Sequence, residues 1–177
     1  MKLFIIQKLR KNDNDNPDPI RIPIELGGFE MTIEPENAFA IVVDDDHIHL
    51  DIMHFMLRRI GIKHVEAFSN SHDAFNRIKE KSPDLIVSDW NMDPINGLQL
   101  LSMVRMKKQT SKIPFIMATA NISEEYWKRA IEAGVTDFLF KPLDFKVFRG
   151  AVLETLRHGP CNGLGQTARI LAKIRTP

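Results

Sequence analysis

Five short apolar runs alternate along the middle of the chain with longer segments whose apolar residues recur every three or four positions. Runs of consecutive apolar residues are typical of parallel strands that are buried on both faces. The segments between them have the period of amphipathic helices. The alternation predicts an α/β fold with helices on both faces of a doubly wound, five-stranded parallel sheet. The predicted strands span residues 40–43, 64–68, 85–88, 115–118 and 138–140.

The helical period also predicts which helix faces pack against the sheet. Three groups of apolar residues fall on single helical faces, and we expect all three groups in the core. Glycines at the ends of the helical segments and Asn70 and Ser123 at helix starts fit the usual helix boundaries. The predicted core faces are Ile48, Ile52, Phe55 and Met56; Trp127, Ala130 and Ile131; and Phe145, Phe148 and Val152.

Composition divides the chain into three parts. Residues 1–37 form an N-terminal extension that we expect to be flexible, because residues 12–19 are rich in Asn, Asp and Pro; two short strands are predicted at 20–24 and 29–33. Residues 38–158 form the predicted domain. Residues 159–177 form a tail that can make one short helix at 166–174.

Charge and composition exclude several classes of protein. The 177 residues contain 24 Lys and Arg against 23 Asp and Glu, so the net charge of +1 gives no reason to expect nucleic acid as a partner. A single Cys excludes a disulfide scaffold and indicates a reducing compartment. The longest apolar runs are far shorter than a membrane span. We therefore expect a cytoplasmic protein that has no membrane contact.

Candidate chemistry collects where the predicted strands end. Ligands of an open parallel sheet bind beyond the carboxyl ends of its strands, and here those ends are acidic, hydroxyl-bearing or basic. Carboxylates gathered at one edge repel each other unless a cation such as Mg²⁺ neutralises them, and an aspartate there can also attack phosphorus. The residues concerned are Asp44, Asp45, Asp46, Asp89, Thr119 and Lys141.

Two other interpretations apply to these polar residues and their neighbours. An aspartate after a strand can simply cap the following helix, although that accounts poorly for the whole set of strand-end residues. His47, His49 and His54 could suggest a metal site, but their spacing gives no pair four residues apart on one helical face, so we expect surface histidines.

Four motifs occur in order at these strand ends, namely VVDD at residues 42–45, LIVSDWNM at 85–92, MATA at 117–120 and FKP at 140–142. Together they resemble the receiver domain of two-component response regulators over about residues 38–158. The resemblance is to the single-domain type, which includes the bacterial chemotaxis regulator. It implies the flavodoxin-like strand order 2-1-3-4-5.

The resemblance implies a phosphoacceptor and a metal site. Asp89 would accept a phosphoryl group from a sensor histidine kinase or a phosphotransfer protein. Mg²⁺ would be the cofactor, held by Asp45, Asp89 and the main-chain carbonyl of Asn91, while Asp44 would orient water bound to the metal. The domain would then catalyse only its own phosphorylation and dephosphorylation, and it would not act as an enzyme on other molecules.

The resemblance also implies how phosphorylation is read. Lys141 would pair with the phosphoryl oxygens, and Thr119 would hydrogen-bond one of them once Asp89 is modified. Phe138 occupies the family's aromatic switch position, and Trp90 would lie at the rim near the metal. The expected output is a changed protein-binding surface on the helix at 123–133 and its neighbours.

The chain departs from the family pattern at two positions. Asp93 stands where the family usually has Pro, and Pro94 follows it; we expect this added carboxylate to lie in solvent. Phe138 lacks the hydroxyl of the Tyr that is often found there. The identity of the downstream partner is therefore left open, but the assignment of Asp89 as the phosphoacceptor is unaffected.

Three functions from different classes remain. The first is a stand-alone response regulator, a monomer or a phosphorylation-dependent dimer, with no DNA-binding output domain after residue 158. The second is a Mg²⁺-dependent phosphatase, which would need a second acid where Asn91 stands. The third is an interaction module that has lost the chemistry, although the acceptor, the acid pair and the lysine are all present. We favour the first.

Overall fold

The structure is a computed structural model that describes residues 22–26, 29–120 and 123–159, with side chains from residue 34 onward. The predicted loop at 12–19, most of the C-terminal tail and its helix at 166–174 lie outside the described residues. A short 3₁₀ helix at Pro35–Asn37 precedes the sheet. The elements are β1 Ile22–Leu26, β2 Phe29–Ile33, β3 Phe39–Val43, α1 His47–Ile60, β4 His64–Phe68, α2 Ser71–Glu80, β5 Leu85–Asp89, α3 Gly97–Met106, β6 Phe115–Thr119, α4 Glu124–Glu132, β7 Asp137–Phe140 and α5 Phe145–His158.

The predicted sheet is confirmed. Strands β3 to β7 form one parallel sheet in the order β4-β3-β5-β6-β7, which is the order 2-1-3-4-5 when its strands are numbered along the chain. Strands β1 and β2 pair separately as an antiparallel hairpin, and β1 lies against α5. The first hairpin strand begins at Ile22, two residues later than the sequence predicted, whereas the second has the predicted bounds.

Two hydrophobic layers enclose the sheet. One layer joins α1 and α5 to one face, with Met53, Leu57 and Phe148 fully buried in it. The other joins α2, α3 and α4 to the opposite face, where Ile78 and Leu100 are fully buried. The central strands carry apolar side chains into both layers, which explains why their sequences show no alternation. In the described part of the chain, no helix is both long and apolar enough to span a membrane.

Polar side chains cap the starts of the five α-helices in the described part of the chain. The capping residues accept hydrogen bonds from backbone N–H groups of the first turn that have no partner within the helix. The cap of α1 is Asp46, the last residue of the acidic triplet, so the capping interpretation is correct for one member of that set. The other caps are Asn70, Asn96, Ser123 and Asp144.

The predicted core face of α1 is wrong. Ile48, Ile52 and Phe55 are exposed, Ile48 to 70% and Phe55 to 63%, and only Met56 is partly buried. This helix is apolar around most of its circumference, so two apolar sets have the helical period and period alone does not decide which one faces the sheet. The set that packs against the sheet is Leu50, Met53, Leu57 and Ile60. The predicted faces of α4 and α5 do contact the core.

This correction predicts unequal effects of two truncations in α1. Leu57→Ala should lower the free energy of unfolding by about 2–5 kcal/mol, because it leaves a cavity at a fully buried position. Phe55→Ala should change it by about 0.5 kcal/mol or less, because that ring is mostly in solvent. Urea denaturation of both variants measures the difference, and equal losses would place Phe55 in the core after all.

Candidate phosphoryl site

Neighbouring strands of the sheet bring the predicted site residues to one edge. Asp44 follows β3, Asp89 ends β5, Thr119 ends β6 and Lys141 follows β7. Because these strands are parallel, their carboxyl ends meet at the same edge. Asp44 is only 1% exposed and Asp89 only 5%, and Thr119 is also buried. The edge thus holds two buried carboxylates beside a buried hydroxyl.

Lys141 links the two buried carboxylates. Its Nζ atom lies 2.7 Å from Asp44 Oδ2 and 2.5 Å from Asp89 Oδ1. The other Asp44 oxygen accepts a hydrogen bond from the backbone N–H of Asp46 at 2.9 Å, and the other Asp89 oxygen accepts from the N–H of Asn91 at 2.5 Å. All four carboxylate oxygens therefore have a donor, as buried charged groups require.

The charges of this cluster do not balance. Burial raises the pKa of Asp89 above its ordinary value and the nearby Asp44 adds to the increase, while Lys141 and the Asn91 N–H oppose it. Burial lowers the pKa of Lys141, but its hydrogen bonds to Asp44 and Asp89 outweigh that effect, so the pKa is raised. The ammonium group stays charged at neutral pH, and two carboxylates against one ammonium leave excess negative charge at the edge.

The backbone around Asp89 is tied to the neighbouring strand and to α3. The N–H of Trp90 donates to the carbonyl of Ala118 at 2.9 Å, and the N–H of Gly97 donates to the carbonyl of Trp90 at 2.9 Å. A Cβ atom at Gly97 would lie 2.1 Å from the Asp89 carbonyl oxygen and 2.8 Å from the Met117 sulfur. Only glycine lets α3 begin this close to the candidate phosphoacceptor.

The predicted metal ligands are not all gathered at one point. Asp45 and Asn91 are exposed at the mouth of the site, whereas Asp44 and Asp89 lie below them against Lys141. Across residues 34–120 and 123–159, no three His, Cys, Asp or Glu side chains stand close enough together to hold a metal ion. The donors are nevertheless all oxygens, and the excess negative charge favours a hard cation. The chemical nature of these donor groups therefore fits Mg²⁺.

His49 is a surface histidine, as expected, but it also contacts this site. Its ring is partly exposed, and its Nδ1 atom lies 3.3 Å from Lys141 Nζ. His49 stands in the first turn of α1, which begins directly after the acidic triplet, so its side chain can reach the same edge. The signal in the sequence was that His49 lies in the first helical turn after the strand-end acids. The argument from the spacing of the three histidines did not consider it. Asp93 is exposed, as expected.

The residues at the expected switch positions are buried. Phe138 is buried in the layer that contains α4, and Thr119 lies at the end of the adjoining strand. Trp90 is not a rim residue, because it is only 6% exposed. Its ring centroid is 5.3 Å from that of Tyr126 in α4. The residue that follows Asp89 thus contacts the helix expected to carry the output surface.

The raised pKa of Asp89 predicts that Asp89→Asn stabilises the fold at neutral pH in the absence of divalent cations. A carboxyl whose pKa is higher in the folded than in the unfolded state stabilises the fold only when protonated, and that contribution is lost as pH rises through the folded pKa. We expect the variant to melt about 3 °C higher than the wild type at pH 7. A gain of about 1 kcal/mol in the free energy of unfolding gives a shift of this size in a domain of this length.

The same variant should lose its advantage in acid. The Asn side chain does not titrate, so the difference in melting temperature should shrink as pH falls and Asp89 of the wild type becomes protonated. Asp45→Asn, at an exposed position, is the matched control and should have little effect. A lower melting temperature for Asp89→Asn at pH 7 would mean that the ion pair with Lys141 outweighs the burial of the carboxylate.

Comparison with known proteins agrees with this geometry. The profile of the response regulator receiver domain family matches residues 40–153. The transcriptional regulatory protein ZraR of Salmonella typhimurium is 36% identical over 118 residues, which are 67% of this chain and 26% of that protein. The phosphate regulon regulator PhoB of Klebsiella pneumoniae is 32% identical over 117 residues, 66% of this chain and 51% of that protein. The chain thus spans about a quarter to a half of these relatives.

Solved structures show the same fold. A response regulator from Chloroflexus aurantiacus superposes with a TM-score of 0.64 at 27% identity, over 67% of this chain and 97% of that one. Chemotaxis protein CheY4 of Vibrio cholerae superposes with a TM-score of 0.60 at 27% identity, over 68% and 97%. The family profile covers more than half of the chain and includes all four strand ends of the site, so this chain belongs to the response regulator receiver domain family.

Proposed function

We propose that this receiver domain accepts a phosphoryl group on Asp89 and converts the added charge into a changed protein-binding surface. The observation that carries the proposal is the cluster of Asp44, Asp89 and Lys141, in which a buried carboxylate faces an ammonium group at the edge of a parallel sheet. A carboxylate oxygen can attack phosphorus, and an ammonium group can neutralise the oxygens of the incoming phosphoryl group.

The donor in this proposal is a phosphohistidine on a sensor kinase or a phosphotransfer protein. An Asp89 oxygen bonds to phosphorus as the phosphorus–nitrogen bond breaks, and the electron pair of that bond returns to the imidazole, which takes up a proton. In hydrolysis a water oxygen bonds to phosphorus, the bond to Asp89 breaks, and inorganic phosphate leaves with the proton going to solvent. The domain thus catalyses only its own modification and its reversal.

Mg²⁺ is the proposed cofactor. The groups that would hold it are Asp45, Asp89 and the main-chain carbonyl of Asn91, with Asp44 orienting a coordinated water. When bound, the ion supplies positive charge that neutralises the phosphoryl oxygens during transfer. The excess negative charge of the cluster supports this assignment, because Lys141 alone compensates only one of the two buried carboxylates.

The proposed response follows from the charge that phosphorylation adds. A phosphoryl group carries nearly two negative charges and three acceptor oxygens, which attract Lys141 and the Thr119 hydroxyl. Phe138 lies buried in the layer behind β6 and β7, where it can move into space that Thr119 leaves. The contact between Trp90 and Tyr126 supports transmission to α4, because it joins the neighbour of Asp89 to that helix.

The exposed apolar face of α1, formed by Ile48, Ile52 and Phe55, is the proposed docking surface for the phosphodonor protein. These residues lie at positions i, i+4 and i+7 of the helix and therefore share one face. The helix begins two residues after Asp45, so this face adjoins the mouth of the site. A protein that presents a phosphohistidine to Asp89 must cover that mouth, and burial of exposed apolar side chains would favour the complex.

The proposal predicts that the wild-type chain, incubated with acetyl phosphate and Mg²⁺, gains the mass of one phosphoryl group. Intact-mass spectrometry measures the product. EDTA should prevent the gain, and Asp89→Asn should abolish it because the variant lacks the attacking oxygen. Asp93→Asn, which removes an exposed acid from the same loop, is the matched control and should leave the gain unchanged.

Two results would contradict the proposal. If Asp89→Asn still gains a phosphoryl group, the acceptor is another residue. If the wild type gains none from acetyl phosphate, from phosphoramidate or from a panel of phosphorylated histidine kinases, the domain acts as an interaction module without phosphoryl chemistry.

The docking surface predicts a separate effect on transfer between proteins. The double variant Ile48→Gln, Phe55→Gln should accept phosphoryl groups from a phosphorylated phosphotransfer protein about tenfold more slowly at subsaturating donor concentrations. The reason is that it loses the apolar contacts that the complex would bury. Its rate with acetyl phosphate should stay within about twofold of wild type, because that donor needs no docking.

Met106→Gln is the matched control for this experiment. Met106 is also exposed and apolar, but it ends α3 at the end of the sheet remote from Asp89. We expect the Met106→Gln variant to accept phosphoryl groups from both donors as fast as the wild type. Equal slowing of the double variant with both donors would indicate damage to the site, and unchanged transfer from the protein donor would place the docking surface elsewhere.

A further inference from the structure

His49 is an additional side chain that reaches the charged cluster, beyond those that the family motifs name. We propose that His49 is a positioning residue of the phosphoryl site, which holds the ammonium group of Lys141 in place through its Nδ1 atom. The inference rests on the proposed function, and it adds to it a residue on α1 that the strand-end motifs do not include.

The first support is the hydrogen-bonding capacity of Lys141. An ammonium group has three hydrogens and no lone pair. Nζ lies 2.7 Å from Asp44 Oδ2, 2.5 Å from Asp89 Oδ1 and 3.3 Å from His49 Nδ1. Because Lys141 can only donate, a hydrogen bond between these two atoms requires Nδ1 as the acceptor. His49 thus supplies the third acceptor and fixes the direction of the ammonium group.

The second support is the way in which α1 fixes His49. One oxygen of the capping residue Asp46 accepts from the N–H groups of Ile48 and His49, at 2.8 and 3.3 Å. The other oxygen lies 3.6 Å from His49 Nδ1, beyond hydrogen-bond distance, so Lys141 has the shorter contact with that atom. The cap therefore fixes the backbone from which the imidazole extends toward Lys141.

This arrangement has a consequence for the reaction. When a phosphoryl group is added to Asp89, Lys141 has to pair with new oxygens, and an acceptor that stays in place limits how far the ammonium group can turn away. Such positioning acts mainly in the transition state, where the phosphoryl charge is redistributed. A positioning residue of this kind changes the maximal rate and leaves the half-saturating donor concentration nearly unchanged.

The test compares His49→Leu with His49→Asn in phosphorylation by acetyl phosphate with saturating Mg²⁺. Leu keeps much of the volume but lacks an acceptor, and it should lower the maximal rate roughly fivefold, the effect of one lost hydrogen bond, with the half-saturating concentration within about twofold of wild type. Asn carries an acceptor oxygen near the position of Nδ1 and should restore most of the rate. His47→Leu, at an exposed position on the same helix, is the control and should match the wild type.

A double-mutant cycle identifies Lys141 as the residue through which His49 acts. The fivefold effect of His49→Leu should disappear in a Lys141→Met background, since there is no ammonium group left to position. A loss of rate that persists in that background, equal rates for the Leu and Asn variants, or no loss with Leu would each overturn the proposal. Absence of phosphorylation in the wild type would instead be a failure of the proposed function itself.

Discussion

The contact of one ammonium group with two buried carboxylates is the constraint on which the rest of the site depends. Asp44 and Asp89 are nearly inaccessible to solvent, so each of them needs a compensating donor. Lys141 supplies it for both, and this requires three strand ends to stop within hydrogen-bond reach of one atom. The parallel sheet meets the requirement because β3, β5 and β7 all present their carboxyl ends at one edge, and Gly97 lets α3 begin against the backbone of Asp89.

The cluster is stable enough to form but is not electrostatically relaxed. Burial keeps the pKa of Asp89 above its ordinary value despite the ion pair, so the folded chain tolerates a carboxylate that it would stabilise better if protonated. The two hydrophobic layers on either side of the sheet offset that cost. In the proposed function, the same excess charge makes the edge receptive to a cation, and the stability of the layers allows the edge to change without loss of the fold.

The sequence predicted the sheet well because its signal is local and strong. All five strands of the sheet lie within one residue of the predicted bounds, since continuous apolar runs that end in polar residues have few other interpretations. The strand-end residues were found for the same reason. The core face of α1 was not found, because apolar residues surround that helix and only the tertiary packing selects Met53 and Leu57 over Ile48 and Phe55. The contact between His49 and Lys141 was also missed, because it joins residues 92 positions apart and no local pattern encodes it.

Helix α1 illustrates why such residues escape a search by motif. Its buried face holds the helix on the sheet, its first turn is capped by an aspartate of the acidic triplet, and its exposed face is apolar. Any force that moved the helix along the sheet would move His49 relative to Lys141 as well, because the cap fixes the first turn. A partner bound to Ile48 and Phe55 would therefore press on the same element that contacts the ammonium group. In the two proposals, recognition of the donor and positioning of Lys141 therefore use opposite requirements of one helix, since the exposed face of α1 has to bind a partner while its first turn has to keep His49 beside Lys141.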